Sequence, residues 1–406
     1  MKRYENLEKL YGLAEGPFYM LDLDQLKRNY QSFLSSMRRV HPSIEIGYSY
    51  KTNYTKEIIR TLSDMGAYSE IVSKLEFDIA MSSKVNINRI IFNGPIKDIS
   101  TLEKVLLGGG LVHLDSKQEL KLIEEIAQQA SLLHPLRIGL RFNLSCDKYP
   151  SRFGFDINSK ETLDVIDLIN QNKHLTLEAL HIHYPDRSIE LFKDRVQRFF
   201  DFIVRTFDEL PQIINLGSGF FHEMSSEEAN RIGLPHETKF NDYADVLSQS
   251  ISTLTMKFGH KFNLFFEPGT PLVVNCMKLV GQVFSVKKIN SKFIATTDIS
   301  IFDFNPRSYP KKNLVEVVCS YKLTELTEAI IVGNTCVEND IIKNDYLGPI
   351  SSESFVVVSN VGSYSNVMKP PFISPSLPIL VVDDAENFVR MAKKRLTSEQ
   401  IIYDYE

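Results

Sequence analysis

Cysteine is scarce in this sequence. The 406 residues include four cysteines, and no two of them form a Cys-x-x-Cys pair: Cys146, Cys276, Cys319 and Cys336. Zinc sites and disulfide frameworks need cysteines at close or recurring spacings. The scattered positions argue against both, and they predict free thiols in the reducing environment of the cytoplasm.

Basic tracts and long apolar runs are also missing. The formal net charge is −5 and no segment concentrates lysine or arginine, which argues against binding to nucleic acid or to an anionic membrane. No apolar run is long enough to cross a bilayer. The first residues, Met-Lys-Arg-Tyr-Glu-Asn-Leu-Glu, lack the apolar stretch of a secretory signal. We therefore predict a cytoplasmic protein.

The sequence does contain a regular alternation of short β-prone runs with amphipathic helical stretches. Eight alternating units favour an α/β fold with a closed (β/α)8 TIM barrel over residues 25–270. An open Rossmann-type sheet is the second choice, but no Gly-x-Gly-x-x-Gly motif opens a helix after the first strand. The predicted barrel strands are Ile44–Tyr50, Ala67–Val72, Arg89–Asn93, Leu111–Asp115, Leu136–Asn143, Leu175–His183, Gln212–Leu216 and Asn263–Glu267.

The pattern changes after Gly269. Strand-like runs then follow one another with few helices between them, which predicts a β-rich domain of the barrel or sandwich kind. This domain would comprise residues 271–406 and recruit residues 1–24. We expect one late helix, near Asn387–Arg395.

Polar or glycine residues stand where every predicted barrel strand ends. Active sites of such barrels lie at the carboxyl ends of the strands. The first strand ends in Lys51, which by itself is most simply a solvated lysine. The polar ends of the seven other strands should lie at the same rim of the barrel as Lys51. We therefore favour a second interpretation, in which Lys51 is an amine nucleophile that forms a Schiff base.

Three other strand ends suggest how a flat, phosphorylated cofactor would be held. Gly217-Ser218-Gly219 follows the seventh strand, where barrels often bind phosphate. Glu267 ends an apolar strand and could hold a proton on a pyridine nitrogen. His181 and His183 share a strand face, which permits a metal site, but no third ligand stands out. We therefore predict no metal, and we expect one imidazole to stack on the cofactor.

In chain order, these motifs resemble those of the fold-type III pyridoxal-phosphate-dependent decarboxylases. This group has an alanine-racemase-like barrel and contains ornithine, arginine and diaminopimelate decarboxylases. The resemblance extends from about Phe18 to Phe372. It implies pyridoxal 5′-phosphate as cofactor, α-decarboxylation of an amino acid as the reaction, and a homodimer whose subunits complete each other's active sites.

The resemblance also implies roles for individual residues. Lys51 would carry the cofactor as a Schiff base, His183 would stack on its ring, and Glu267 would hold the ring nitrogen protonated. Cys336, supplied by the partner subunit, would protonate the carbanion after loss of CO2. The other residues that it places at the cofactor are Glu70, Ser73, Gly217, Ser218, Gly219, Gly269, Thr270 and Tyr364.

Two departures from the family pattern concern the phosphate. Arginine usually follows Glu-Pro-Gly as a phosphate ligand, whereas Thr270 stands there in this chain. A Gly-Ser pair usually follows the histidine motif, and here the run is Tyr-Pro-Asp-Arg-Ser over residues 184–188. We consider that Arg187, within that run, restores the missing positive charge.

A third departure concerns the substrate. The residue after the cysteine is commonly an acid that binds a distal ammonium, but here it is Val337, with Glu338 one place later. Our first expectation is therefore a modified or conjugated amino acid. Arg307 could instead bind a second carboxylate, which would favour a diaminopimelate-type substrate. A diaminopimelate- or ornithine/lysine-type decarboxylase is therefore the alternative.

Two further alternatives remain open at the level of sequence. An amino-acid racemase of the same fold usually places arginine at the pyridine nitrogen, which Glu267 argues against. A non-catalytic homologue that binds partners fits the altered phosphate motifs, but Lys51, Glu267 and Cys336 are all retained.

Overall fold

The computed structural model describes residues 2–144, 150–234, 237–306, 313–320, 327–369 and 371–405. Contacts divide the chain into two compact units. One, the barrel unit, comprises Asn29–Ala229 and Pro235–Pro271. The other, the sheet unit, comprises Met1–Arg28, Asn230–Leu234 and Leu272–Glu406. Among the described residues, no helix combines the length and apolarity that a membrane span requires.

The barrel unit is a closed cylinder of eight parallel strands, which confirms the predicted fold class. The chain first forms α1 (Lys2–Leu13), β1 (Phe18–Asp22) and α2 (Leu23–Arg38). The last barrel strand pairs with the first, and the fourth pairs with the fifth, so the ring has no open edge. The barrel strands are β2 (Ile44–Ser49), β3 (Tyr68–Ile71), β4 (Ile90–Phe92), β5 (Leu111–Leu114), β6 (Leu136–Asn143), β8 (Leu175–His181), β9 (Ile213–Asn215) and β10 (Asn263–Phe266), and the short β7 (Phe155–Asp156) pairs with β6 outside the ring.

Helices connect the barrel strands, as parallel pairing requires. Several of them begin at a side-chain cap, in which a Ser or Asp oxygen accepts a backbone N–H of the first turn. Five strands contribute to one apolar cluster inside the barrel: Ile91, Leu111, Ala179, Ile213 and Phe265. The connecting helices are α3 (Lys56–Asp64), α4 (Lys74–Ser82), α5 (Ile99–Leu107), α6 (Lys117–Gln129), α7 (Lys160–Gln171), α8 (Ile189–Thr206), α9 (Ser226–Ile232), α10 (Phe240–Ser250) and α11 (Ser252–Phe258).

The sheet unit is built mainly of strands, with α1 packed into its core. Leu7 and Leu10 of α1 are fully buried against Phe355, Val357 and residues of β1. Its further elements are α12 (Thr270–Val273), β11 (Met277–Ile289), β12 (Lys292–Thr297), α13 (Ile301–Phe304), β13 (Val315–Val318), β14 (Thr327–Val332), β15 (Ile341–Gly348), β16 (Phe355–Val358), β17 (Ile379–Val382), β18 (Phe388–Lys393) and α14 (Ser398–Tyr403).

The prediction of a late helix near Asn387–Arg395 is wrong. The chain there forms β18, which pairs antiparallel with β17. Residues Phe388–Lys393 include Arg, Met, Ala and Lys, which favour helices when nothing else decides, but pairing with a neighbouring strand overrides that preference. Sequence reasoning also missed β15, whose Lys-Asn-Asp centre is typical of a turn.

Candidate active site

Lys51 lies directly after β2, in a short 3-10 turn formed by Tyr50–Thr52. Its side chain is 32% exposed, and Nζ donates to both carboxylate oxygens of Glu70, at 2.8 and 3.1 Å. Glu70, at the end of β3, is fully buried and also accepts a hydrogen bond from the Ser49 hydroxyl. The lysine is therefore held at the rim by a buried anion, while its amine remains accessible.

A network of amides connects Glu70 with Glu267. Asn93 Nδ2 donates to Glu70 Oε1 at 3.0 Å and to Glu267 Oε1 at 2.9 Å. Asn215 Nδ2 donates to the same Glu267 oxygen at 2.8 Å, and His181 Nε2 lies 3.2 Å from the other oxygen. A carboxylate can accept about four hydrogen bonds. Glu267 is therefore fixed in position and can accept one more N–H.

Two of the histidines at this network are neutral. The rings of His113 and His181 stack with centroids 4.5 Å apart and planes within 8°. Burial lowers the pKa of both imidazoles well below the usual range, because protonating a ring that is shielded from water is energetically unfavourable. Because both Asn93 amide hydrogens bind carboxylates, Asn93 Oδ1 accepts from His113 Nδ1, at 2.6 Å. Neutral rings leave the charge of Glu267 available to another group.

His183 follows β8, and its centroid lies 6.4 Å from that of His181. The Ser218 N–H donates to His183 Nδ1 at 3.2 Å, so the ring carries its own hydrogen on Nε2. Burial lowers the pKa of His183, and the cations of Lys51 and Arg141 lower it further. The result is a neutral, flat imidazole whose orientation is set by the glycine loop.

The glycine loop, residues 217–219, follows β9 and has a backbone that requires glycine. Gly217 and Gly219 have φ angles of +63° and +112°, and a Cβ atom at Gly217 would lie 2.3 Å from the Ile182 carbonyl oxygen. The Asn215 side chain accepts from Gly217 N–H at 2.9 Å. Gly269 lies on the same side of the barrel, with Thr52 Oγ1 2.0 Å from where its Cβ would be.

These residues fit pyridoxal 5′-phosphate. Lys51 offers an amine, Glu267 offers an anion with one vacant acceptor position, His183 offers a flat ring, and the glycine loop offers a phosphate cradle. By distance alone, atoms of His113, His181 and Glu267 lie close enough, within 4.8 Å, to share a metal ion. In the structure the cluster is held by side-chain hydrogen bonds: Asn93 and Asn215 donate to Glu267, and His113 donates to Asn93.

A cavity of about 580 Å³ lies beside His183 in the barrel unit. Two guanidinium groups flank Phe153 within it: that of Arg141 lies 4.5 Å and that of Arg152 lies 4.2 Å from the ring centroid. Arg141 is 8% exposed and lies 3.5 Å from Asp115, whereas Arg152 is exposed and has no carboxylate within 4 Å among the described residues. The cavity therefore carries positive charge.

Ser73 and Glu76 form the start of α4. Ser73 Oγ accepts from Glu76 N–H at 3.3 Å, and Glu76 Oε2 accepts from Val72 N–H at 2.7 Å. In the structure Ser73 thus acts as a helix cap. Burial, and secondarily the charge of Glu70, raise the pKa of the Glu76 carboxyl from 4.5 to about 7.

This raised pKa predicts that Glu76 makes stability depend on pH. The folded chain binds the proton more tightly than the unfolded chain, so its contribution is complete below pH 4.5 and is lost as pH rises to about 7. The loss amounts to about 3 kcal/mol at higher pH. Glu76→Gln keeps the acceptor oxygen and cannot ionise, so it should be more stable than the wild type near pH 8 and equally stable near pH 4.5. Urea unfolding at both pH values measures this, and a pH-independent difference would contradict it.

The other predicted site residues lie in the sheet unit. Cys336 is exposed in the turn between β14 and β15, next to Val337, which is 37% exposed, and the exposed Glu338. The buried Asp340 fixes this turn by accepting from the backbone and hydroxyl of Thr335. Tyr364 is half-buried and has a φ of +52°, which is unusual for a residue with a side chain. Arg307 lies outside the described residues.

Sequence reasoning missed several residues that build the site: His113, Arg195 and Asn215. His113 and Asn215 are single polar residues within apolar strands, and that signal could have identified them. Arg195 is 2% exposed within α8, and nothing in its local sequence distinguishes it from the neighbouring arginine at position 198.

Comparisons with known proteins point to one family. A family model described as "Pyridoxal-dependent decarboxylase, pyridoxal binding domain" matches residues 23–274. Diaminopimelate decarboxylase of Helicobacter pylori is 24% identical over 413 residues, which cover 98% of this chain and 97% of the relative.

Solved structures show the same fold over nearly the whole chain. Diaminopimelate decarboxylase of M. jannaschii superposes with a TM-score of 0.85 at 22% identity, covering 97% of this chain and 93% of that one. The Helicobacter pylori diaminopimelate decarboxylase in complex with L-lysine gives 0.83 at 23% identity, with 98% and 99% covered.

Proposed function

The chain belongs to the pyridoxal-dependent decarboxylases, and from that premise we propose that it decarboxylates a diaminopimelate-type amino acid, one with a second carboxylate far from the reacting carbon. The protein is a carbon–carbon lyase with pyridoxal 5′-phosphate as its cofactor. Relatives from Helicobacter pylori and Methanocaldococcus jannaschii are named diaminopimelate decarboxylases. Our proposal therefore replaces the modified or conjugated amino acid as the preferred substrate.

The positively charged cavity beside His183 is the observation that carries this proposal. A substrate with a distal carboxylate can form a charge-assisted hydrogen bond with Arg152, whose guanidinium has no carboxylate partner among the described residues. That bond would strengthen substrate binding. The distal ammonium of ornithine or lysine alone would be repelled by the same group. The cavity thus favours a diacid over a plain basic amino acid.

The cofactor supplies an electron sink for the bond that breaks. Lys51 supplies the amine that holds it, and Glu70 positions that amine. Glu267, immobilised by Asn93 and Asn215, would hold a proton on the pyridine nitrogen. His183, held by the Ser218 N–H, would offer its neutral ring to one face of the cofactor. A carboxylate at the nitrogen favours decarboxylation over racemisation.

We also infer a homodimer, in which Cys336 of one subunit serves the barrel of the other as proton donor. The support is that Cys336 is exposed on a turn that Asp340 fixes, so that a partner can reach it without rearrangement. A fully active enzyme that sediments as a monomer would contradict this. The cytoplasmic location stays a prediction.

Release of CO2 from a panel of amino acids tests the proposed substrate. We expect kcat/KM for meso-diaminopimelate to exceed that for L-lysine, L-ornithine and L-arginine by about 10- to 100-fold, the range for one hydrogen bond to a charged group, because these three lack the distal carboxylate that Arg152 would bind. Arg152→Gln should raise KM for diaminopimelate, whereas Arg60→Gln, on the outer face of α3, should not. Faster turnover of a monocarboxylic amino acid, or of a conjugated one, would overturn the proposal.

A further inference from the structure

The side chain of Arg187 reaches Thr270, which begins α12 shortly after the last barrel strand. Its Nη2 lies 3.5 Å from Thr270 Oγ1, although the two residues are far apart in sequence. Its guanidinium also lies 5.6 Å from the centroid of Phe221, just after the glycine loop, which is within the range of a cation–π contact. The positively charged guanidinium of Arg187, from the loop after β8, therefore lies near both Thr270 and the residue pair that follows the glycine loop.

The backbone of Arg187 is tied to the same region. Tyr243 OH donates to the Arg187 carbonyl oxygen at 2.6 Å and accepts from Phe221 N–H at 3.1 Å. Tyr243 is 1% exposed, and burial raises its pKa to about 12, so the hydroxyl keeps its hydrogen. The carboxylate of the neighbouring Asp186 accepts from Ser188 N–H at 2.8 Å.

Arg195 orients the amides of the glycine loop. Its buried guanidinium donates to the carbonyl oxygens of Ser218 and Gly219, at 3.0 and 3.4 Å, and to that of Asp186 at 3.0 Å. In a trans peptide the N–H points away from the preceding C=O. The N–H groups of Gly219 and Phe220 therefore point away from Arg195, and neither has a hydrogen-bond partner among the described residues.

We propose that Arg187, together with Thr270 Oγ1 and the amides of Gly219 and Phe220, forms the anion site that grips the cofactor's phosphate in this chain. A guanidinium supplies the positive charge and directed donors that a dianionic phosphate needs. Thr270 alone supplies no charge. Arg195 is a positioning residue, because its donors are directed at carbonyl oxygens of the two loops. The inference rests on the cofactor and is independent of the choice of substrate.

Binding of pyridoxal 5′-phosphate and of pyridoxal, which lacks the phosphate, to the apoenzyme tests the site. Equilibrium dialysis measures both dissociation constants without any turnover. Arg187→Gln should weaken binding of the phosphorylated cofactor by about 10- to 100-fold, the range for a charged hydrogen-bond partner, and leave pyridoxal unaffected. Arg205→Gln, at an exposed arginine near the end of α8, should change neither value. Adding Thr270→Arg to Arg187→Gln should restore part of the lost affinity, because it returns a cation to the adjoining position.

Each other outcome contradicts a separate claim. Equal weakening for both compounds would show that Arg187 only maintains the fold of the loop, and no weakening would show that it is not a phosphate ligand. A variant with a higher substrate KM but unchanged cofactor affinity would reassign Arg187 to the substrate. A wild-type chain that binds neither compound would contradict the cofactor itself rather than this site.

Discussion

Lys51→Ala should abolish turnover to within the background, with kcat at least about 10²–10⁴-fold lower, the range that loss of a single proton-transfer group can account for. The expected loss is larger than that minimum, because the amine is also the proposed covalent attachment point for the cofactor. Borohydride reduction should fix the chromophore to the wild-type peptide that contains Lys51 and to no peptide of the variant. Mass spectrometry of the digested proteins measures this directly.

The matched control for Lys51→Ala is Lys74→Ala. Lys74 is an exposed lysine that pairs with Asp78 on the surface of α4. Such exposed ion pairs contribute little to the free energy of unfolding. Lys74→Ala should keep full activity and the borohydride adduct on Lys51. Mixing Lys51→Ala subunits with inactive Cys336→Ala subunits should also restore part of the activity, since a mixed dimer then contains one complete site. Full turnover by Lys51→Ala would contradict its proposed role.

The barrel was predictable because it repeats a local pattern. Each parallel strand is buried on both faces and is followed by a helix, so every repeat shows the same apolar run and the same change of period. The strand-end residues to which we assign chemistry, such as Lys51 and Glu267, stand out for the same reason, since each is a charged group that directly follows an apolar run.

The rest depends on partners that are distant in sequence. β18 is largely exposed and lacks a periodic signal, and only its pairing with β17 makes it a strand. Arg195 became significant only because four carbonyl oxygens from two loops converge on it. Similarly, Asn93 stands at a predicted strand end, but the two carboxylates that it bridges come from β3 and from the end of β10. The residue types can be read from the sequence, but closure of the barrel determines which of these side chains come into contact.

The charge on Glu267 should matter more than its hydrogen bonds. Glu267→Gln is nearly isosteric: its carbonyl oxygen can still accept from Asn93 and Asn215. His181 can adapt to the new amide, because its Nδ1 has no partner in the part of the chain that the structure describes and can take the hydrogen that Nε2 now carries. The variant should therefore fold, and a saturating concentration of cofactor should load it fully.

Its kcat should nevertheless fall by about 10²- to 10³-fold, as when one electrostatic contact to developing charge is removed. A neutral amide cannot hold a proton on the pyridine nitrogen, so the ring withdraws electrons less strongly. Loading both proteins with the 1-deaza analogue of the cofactor, in which carbon replaces that nitrogen, separates this effect from structural damage. The analogue should slow the wild type severely and the variant little further, because both changes remove the same interaction. If the two losses multiplied independently, Glu267 would be acting on something other than the ring nitrogen.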